Sequence, residues 1–166
     1  RGRFFSSEAA RRSTGNPSGD SWQDAGTAVP FAVRRHADEK IVGSTRFFNI
    51  ERWPWPFERP NPDGCEIGYT WYAPSAIRTV INTECKFLLL THAFETWKVY
   101  RVCLHTDVRN IRSRAAMERI GCQFEGVLRA HRMSADFIPR DSARFSIVAS
   151  EWPEVKQRLA GKLARR

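Results

Sequence analysis

The sequence predicts an α+β fold with a single central mixed β-sheet and helices on both of its faces. Residues 29–33 and 41–50 are rich in β-branched and aromatic side chains and flank a polar turn, which predicts a hairpin. Strand-like and helix-like segments then alternate over 65–120, and such an alternation makes the strands around the first helix parallel. The runs 123–133 and 142–149 predict a second hairpin, whose antiparallel strands make the sheet mixed.

The first strand and helix of the alternating region are 65–72 and 83–98. The strand is indicated by its aromatic and threonine content and ends at Ala73 and Pro74. The helix carries an apolar stripe at steps of 3, 4 and 3, the spacing of one helical face. The stripe consists of Phe87, Leu90, Phe94 and Trp97.

The second strand and helix are predicted over 100–106 and 110–120. Asn110 has a side chain suited to cap the helix, and Gly121 is placed to end it in a left-handed turn. A basic helix with acidic Glu151 in its first turn closes the sequence.

The composition indicates one globular domain in a chain of 166 residues. Hydrophobic residues make up 42%, and no apolar run approaches the 18 or so residues of a membrane helix, so we expect no membrane partner. A breaker cluster at 15–19 predicts a partly disordered lead-in over 1–28, followed by a folded domain over 29–166. The four cysteines lack metal-site or CxxC spacing, which indicates reduced, buried thiols in a cytoplasmic protein.

The formal net charge of +9 favours an anionic partner. Nucleic acid, a ribosome, acidic lipid and a phosphorylated cofactor all fit this charge. Much of it lies at the two ends of the chain, and no aromatic and basic RNA-binding motif is present, so nucleic acid is the weakest of these alternatives.

A long loop is predicted over 51–64, which holds four of the nine prolines. Its aromatic residues Trp53, Trp55 and Phe57 need cover. Two interpretations stay open: the loop folds back on its own domain, or it forms a lip over a cleft or a contact in a homodimer.

The loop 74–82 leads into the first helix, whose N-terminal amides attract phosphate. Arg78 adds a cation to this loop and Thr79 adds a hydroxyl group. A solvated loop would show the same pattern, because every strand–helix unit has such an end.

Longer strings resemble the RimJ/RimL-type branch of the GNAT N-acetyltransferases, and the resemblance is strongest over 65–155. They are EIGYTWY, RTVINTECKFLLLTHAFE, YRVCLHTDVRNIRSRAAMERIGCQFEGVLRAH and RDSARFSIVASEWPEVKQRL. The resemblance implies a GNAT-like domain over 29–166, acetyl-CoA as the donor, and direct transfer to a primary amine in a ternary complex. The implied acceptor is the α-amine of a protein, for example a ribosomal protein, or a small amine. It also implies that the chain enters the family fold after the first strand and helix.

The resemblance also implies which residues hold the cofactor. Residues 69–72 would pair with the pantetheine arm, 78–83 would hold the pyrophosphate, and the NxxS motif of Asn110 and Ser113 would meet the pantetheine side. Ser113 would protonate the departing thiolate. The implied cofactor contacts are Tyr69, Trp71, Tyr72, Arg78, Thr79, Val80, Asn82, Thr83, Asn110 and Ser113.

Three positions depart from the family pattern. Val80 stands at a glycine of the phosphate loop, Met117 stands at a common general-acid tyrosine, and Arg132 stands at a glutamate base. Glu66 and Glu84 are the remaining carboxylates that could act as a catalytic base, although each could equally serve as a structural carboxylate. The alternative is a catalytically degenerate GNAT-like module that binds CoA or serves as a scaffold.

Overall fold

The structure is a computed structural model that describes residues 28–134 and 136–165. The predicted lead-in lies outside these residues except for Ala28, which begins the first strand. The strands are β1 (Ala28–Arg34), β2 (Ile41–Glu51), β3 (Gly64–Tyr72), β4 (Arg101–Asp107), β5 (Gln123–Met133) and β6 (Pro139–Val148). The helices of the described part are α1 (Ile81–Thr91), α2 (Ile111–Ile120) and α3 (Trp152–Ala164).

The strands form one six-stranded sheet in the order β1-β2-β3-β4-β6-β5. The pair β3 and β4 is parallel, and every other neighbouring pair is antiparallel. Since α1 connects the two parallel strands, the predicted α+β fold with a mixed sheet is confirmed.

The three helices of the described residues contribute to one core cluster, together with alternate residues of the sheet. Val102 and Leu104 of β4 belong to this cluster. Cys103 and His105 alternate with them along the strand and therefore point to the opposite face of the sheet. Within the described residues, α1, α2 and α3 all pack on the face of the sheet that carries this cluster. The other face carries a layer of charged and polar side chains, including Glu66 and Glu125.

The first predicted helix, 83–98, differs from the structure at both ends. The helix α1 begins two residues earlier, at Ile81, and ends at Thr91, before the apolar stripe ends. α1 stops at Thr91, whose hydroxyl group donates to the carbonyl of Phe87 at 2.7 Å, and a π-helical turn, His92–Thr96, follows. The stripe nevertheless reaches the core, because Trp97 packs on Phe47 with ring centroids 4.7 Å apart.

Both predicted ends of α2 are confirmed. The side-chain oxygen of Asn110 accepts a hydrogen bond of 3.0 Å from the backbone N–H of Ser113. Gly121 has a φ of 106°, the left-handed conformation that glycine adopts without strain.

The proline-rich loop folds back on its own domain, the first of the two interpretations. The buried carboxylate of Asp63 accepts hydrogen bonds from the backbone N–H of Trp53 at 2.7 Å and from the indole of Trp55 at 2.8 Å. Trp53 also stacks on Tyr100 with ring centroids 5.5 Å apart. The loop aromatics thus cover one another at the end of the sheet where β4 begins.

The four cysteines are all free and buried, as expected. Among the described residues, no helix is both long enough and apolar enough to span a membrane.

Candidate active site

A notch opens between the parallel strands β3 and β4. The two strands pair only at Gly64 with Arg101, Cys65 with Val102, and Glu66 with Cys103. Beyond these pairs β3 continues to Tyr72 and β4 to Asp107 without pairing to each other. Glu66 therefore lies at the base of the notch, where the strands diverge.

A β-bulge bends β3 along the notch. Gly68 pairs with Arg46 and Trp71 with Ser44, so β3 has one residue more than β2 over this stretch. Tyr69 lies in the bulge with a φ of 49°. The bulge leaves this part of β3 without a ladder to β4, so its backbone faces the notch.

The N-termini of α1 and α2 flank the open end of the notch, because each helix follows directly after one of the two parallel strands. The first backbone N–H groups of a helix have no partner within the helix and carry a partial positive charge. In α1, the N–H of Ile81 donates to Thr79 Oγ1 at 3.3 Å, while the amides of Asn82 and Thr83 lie in the first turn. This end of the sheet is suited to hold an anion.

The loop 74–82 adopts its turn without the glycine that the family pattern has at position 80. Val80 has a φ of −68°, an ordinary helical conformation that needs no glycine. The left-handed position of the loop is Arg78, with a φ of 62°, and its side chain is exposed. Thr79 fixes the turn through its hydroxyl group, which donates to the carbonyl of Ala76 at 2.7 Å.

The predicted aromatic residues of β3 occupy different surroundings. Tyr72 is partly buried and its hydroxyl group donates to Asn82 Oδ1 at 3.2 Å, so two predicted cofactor residues meet. Burial and the neighbouring Cys85 raise the pKa of Tyr72. Tyr69 lies at the opposite face, edge-on to Phe48 with ring centroids 5.1 Å apart, and Trp71 is 56% exposed.

Glu66 is held by side chains of three other strands. Asn49 Nδ2 donates to Glu66 Oε1 at 3.0 Å, and His105 Nδ1 lies 3.0 Å from Glu66 Oε2. Arg132 Nη2 lies 3.6 Å from the same oxygen, so the arginine that replaces the family glutamate pairs with this one. The side chain of Glu66 is 10% exposed and that of His105 is 5% exposed.

The surroundings of Glu66 favour its ionised form. Burial tends to raise the pKa of this carboxyl, but hydrogen bonds from His105 and Asn49, and the charges of His105 and Arg132, bring the pKa below its usual value. An ionised Glu66 accepts the Nδ1–H of His105, which leaves His105 Nε2 as the proton-accepting atom.

A second imidazole lies beside the first. The rings of His105 and His131 have centroids 5.0 Å apart and planes inclined at 42°. His105 Nε2 and His131 Nδ1 are both buried and have no hydrogen-bond partner in the described part of the chain.

The structure does not bring Glu84 to this group. Glu84 lies in the first turn of α1 and, with Val80, lines a cavity of about 320 Å³ next to the end of β1. The lining of this cavity also includes Thr79 and Ile81, so it reaches the loop that leads into α1. Met117 is buried in the core, where it offers no proton to a ligand.

Sequence reasoning missed the partners of Glu66. His105 does not pair with Asp107, two residues away on the same strand, because Asp107 pairs with Arg109 at 2.7 Å. One signal was available: in the parallel pair, Glu66 and His105 fall on the same face as Cys103. The contributions of Asn49 and His131 depend on bulges in β2 and β5 that the sequence does not mark.

Comparison with known proteins identifies the family. Residues 4–123, well over half of the chain, match the acetyltransferase (GNAT) domain. The chain belongs to the GNAT acetyltransferase family. The GNAT domain of this chain thus contains the notch, the two helix N-termini and the sheet order described above.

Solved structures support the same fold. A GCN5-related N-acetyltransferase from Brucella melitensis is 29% identical, with a TM-score of 0.71, and the match covers 86% of this chain and 62% of that one. A RimJ from Mycobacterium smegmatis, solved with CoA-disulfide, is 24% identical with a TM-score of 0.70, over 86% of this chain and 64% of that one.

A third solved chain, described as an acetyltransferase, is 32% identical with a TM-score of 0.71, over 90% of this chain and 66% of that one. This chain therefore spans about two thirds of the length of these three proteins. A search of the curated proteins gave no match.

Proposed function

We propose that this chain is an N-acetyltransferase that transfers the acetyl group of acetyl-CoA to a primary amine by direct attack. The observation that carries the proposal is the notch between β3 and β4, with the Glu66 and His105 pair at its base and two helix N-termini at its open end. One cleft thereby combines groups that can bind a phosphate-bearing donor with a pair of side chains that can accept a proton. When bound, acetyl-CoA supplies the activated thioester.

The residues of the open end fit a phosphate-rich donor. The first-turn amides of α1 and the guanidinium of Arg78 offer hydrogen bonds and positive charge to a pyrophosphate. Thr79 holds the loop in place from below, through its bond to Ala76. The bulged part of β3, with Tyr69 and Trp71, offers backbone groups to an extended arm.

The base of the notch fits the proton that must leave the acceptor. An amine attacks only as the free base, so a protonated acceptor first gives up a proton. Ionised Glu66 orients His105 through Nδ1–H and stabilises the imidazolium that forms when Nε2 takes this proton. In this arrangement Glu66 is a positioning carboxylate and His105 is the base.

Ser113 is the residue proposed to protonate the departing thiolate. Its backbone N–H is engaged by the Asn110 cap at 3.0 Å, which fixes the residue in the first turn of α2 beside the notch. Its hydroxyl group is not part of that bond, so it remains available to donate.

An α-amine is the favoured acceptor. The α-amine of a protein has a pKa near 8, whereas a lysine side chain has one near 10.4, so an imidazole at neutral pH deprotonates the α-amine far more readily. A small amine of low pKa satisfies the same condition. A ribosomal protein as acceptor, a homodimer and a cytoplasmic location stay predictions from the sequence.

Calorimetric titration with acetyl-CoA, followed by mass spectrometry of acceptor peptides, tests the proposal. We expect saturable binding, and acetylation of a peptide with a free α-amine but not of the same peptide with a blocked N-terminus. A folded chain that binds no acetyl-CoA would contradict the proposal. Binding without transfer to any peptide or small amine would instead support the CoA-binding scaffold, which Met117 and Arg132 also favour.

A further inference from the structure

Two buried imidazole nitrogens face one site without any assigned partner. His105 Nε2 and His131 Nδ1 both lack a hydrogen-bond partner among residues 28–134 and 136–165, although the ring centroids are only 5.0 Å apart. Buried polar atoms in native proteins nearly always have a partner. Two such atoms on neighbouring rings therefore point to a shared hydrogen-bonding role.

An irregularity in β5 brings the second ring to the first. Leu128 pairs with Ser142 and Arg132 with Arg140, so β5 has two residues more than β6 over this stretch. Within this bulge, the backbone N–H of Ala130 donates to Asp141 Oδ1 at 2.8 Å. β6 lies between β4 and β5, so the contact between the rings of His131 and His105 reaches across β6.

We propose that His131 relays the proton from His105 to solvent during acetyl transfer. This inference rests on the proposed function. In the transfer the amine nitrogen bonds to the acetyl carbon and the C–S bond breaks. A protonated amine and a thioester give an amide, a thiol and one proton. That proton reaches His105 Nε2, passes through a bridging water molecule to His131 Nδ1, and an equivalent proton leaves from His131 Nε2.

The charges around His131 favour release of a proton from this ring to solvent. Burial lowers the pKa of His131, and the neighbouring His105, Arg132 and Arg140 lower it further, while Glu66 acts in the opposite sense. His131 is thus neutral at pH 7 and can accept a proton. His131 is partly exposed, so it offers a route outward.

The variant His131→Gln tests the relay, with His36→Gln as the matched control. Glutamine retains hydrogen-bonding atoms but binds no proton, and His36 is an exposed histidine in the turn after β1. With a short peptide carrying a free α-amine, we expect His131→Gln to lower kcat roughly tenfold at pH 7, with KM for acetyl-CoA unchanged. Imidazole added to the buffer should restore the rate of this variant and leave the wild type and the control unaffected.

Each outcome of this experiment either supports or overturns the relay. Wild-type kcat in His131→Gln, or a loss that imidazole does not restore, overturns the relay while the acetyltransferase itself stands. An inactive wild type overturns the proposed function and the relay together. If the variant does not fold, 15N NMR titration of the wild-type chain decides: coupled titration of His105 and His131 supports the relay, and independent titration overturns it.

Discussion

His105 Nδ1 and Glu66 Oε2 lie 3.0 Å apart where β3 and β4 diverge, two residues beyond Cys103, the last residue of β4 that pairs with β3. The two residues are 39 positions apart in the sequence, and only the parallel pairing of their strands brings them together. The pair lies where the strands diverge. The register of β3 against β4 therefore sets both the position of the pair and the position of the notch.

Replacing Glu66 by glutamine should lower acetyl transfer without weakening donor binding. An amide cannot stabilise the His105 imidazolium, so we expect kcat to fall roughly a hundredfold while the Kd for acetyl-CoA stays the same. Steady-state kinetics and calorimetry measure the two quantities. A kcat equal to that of the wild type would remove the pair from the mechanism.

The same substitution should change how stability depends on pH. The folded pKa of Glu66 lies below the ordinary value of 4.5, so the unfolded chain binds more protons near that pH. The stability contributed by Glu66 is therefore present above about 4.5 and is lost as the pH falls through the lower folded pKa. Urea unfolding between about pH 3 and about pH 7 should show a steeper loss of stability towards low pH for the wild type than for Glu66→Gln.

Replacing Ser113 by alanine should reduce turnover more than affinity. The cap of α2 uses the backbone N–H of this residue, so the helix keeps its first turn in the variant. We expect kcat to fall by roughly tenfold, with the Kd for acetyl-CoA within about twofold of the wild type. An unchanged kcat would show that the thiolate is protonated by another group.

Arg78 should contribute to donor affinity through its charge. Asparagine tolerates the left-handed φ of 62° at this position, so Arg78→Asn removes the charge without new backbone strain, and Arg78→Lys retains it. We expect the Kd for acetyl-CoA to rise about tenfold in Arg78→Asn and much less in Arg78→Lys. Equal affinity in all three chains would place the pyrophosphate elsewhere.

Lys86 should destabilise the folded chain at neutral pH. It is buried in the core side of α1, donates to Thr70 Oγ1 at 3.0 Å, and has no carboxylate partner among the ion pairs of the described residues. Burial lowers its pKa from 10.5 to about 8, which corresponds to about 3 kcal/mol. We expect Lys86→Met to unfold at higher urea at pH 7.

The advantage of Lys86→Met should shrink as the pH rises. Between about 8 and 10.5 the unfolded chain holds the proton of Lys86 more tightly than the folded chain, so wild-type stability increases relative to the variant. Urea titrations of both chains at pH 7 and near pH 10 measure the difference. A constant difference would show that the buried charge is not its cause.

Local features of the fold could be predicted from the sequence. Asn110 and Gly121 mark the ends of α2 because capping and left-handed turns depend on a few adjacent residues. The hairpin of β1 and β2 followed from a polar turn between strand-like runs. The interruption after Thr91 could not be predicted, because the apolar stripe continues through the π-helical turn.

The sequence by itself therefore determined the order of strands and helices, the parallel pair around α1 and a helix end suited to an anion. Only the tertiary structure decided that Glu66 meets Asn49, His105 and Arg132, while Glu84 lines a cavity next to the end of β1. The physical reason is range. Caps, turns and periodicity act over a few residues, whereas these contacts depend on strand register and on bulges that shift it by one or two residues.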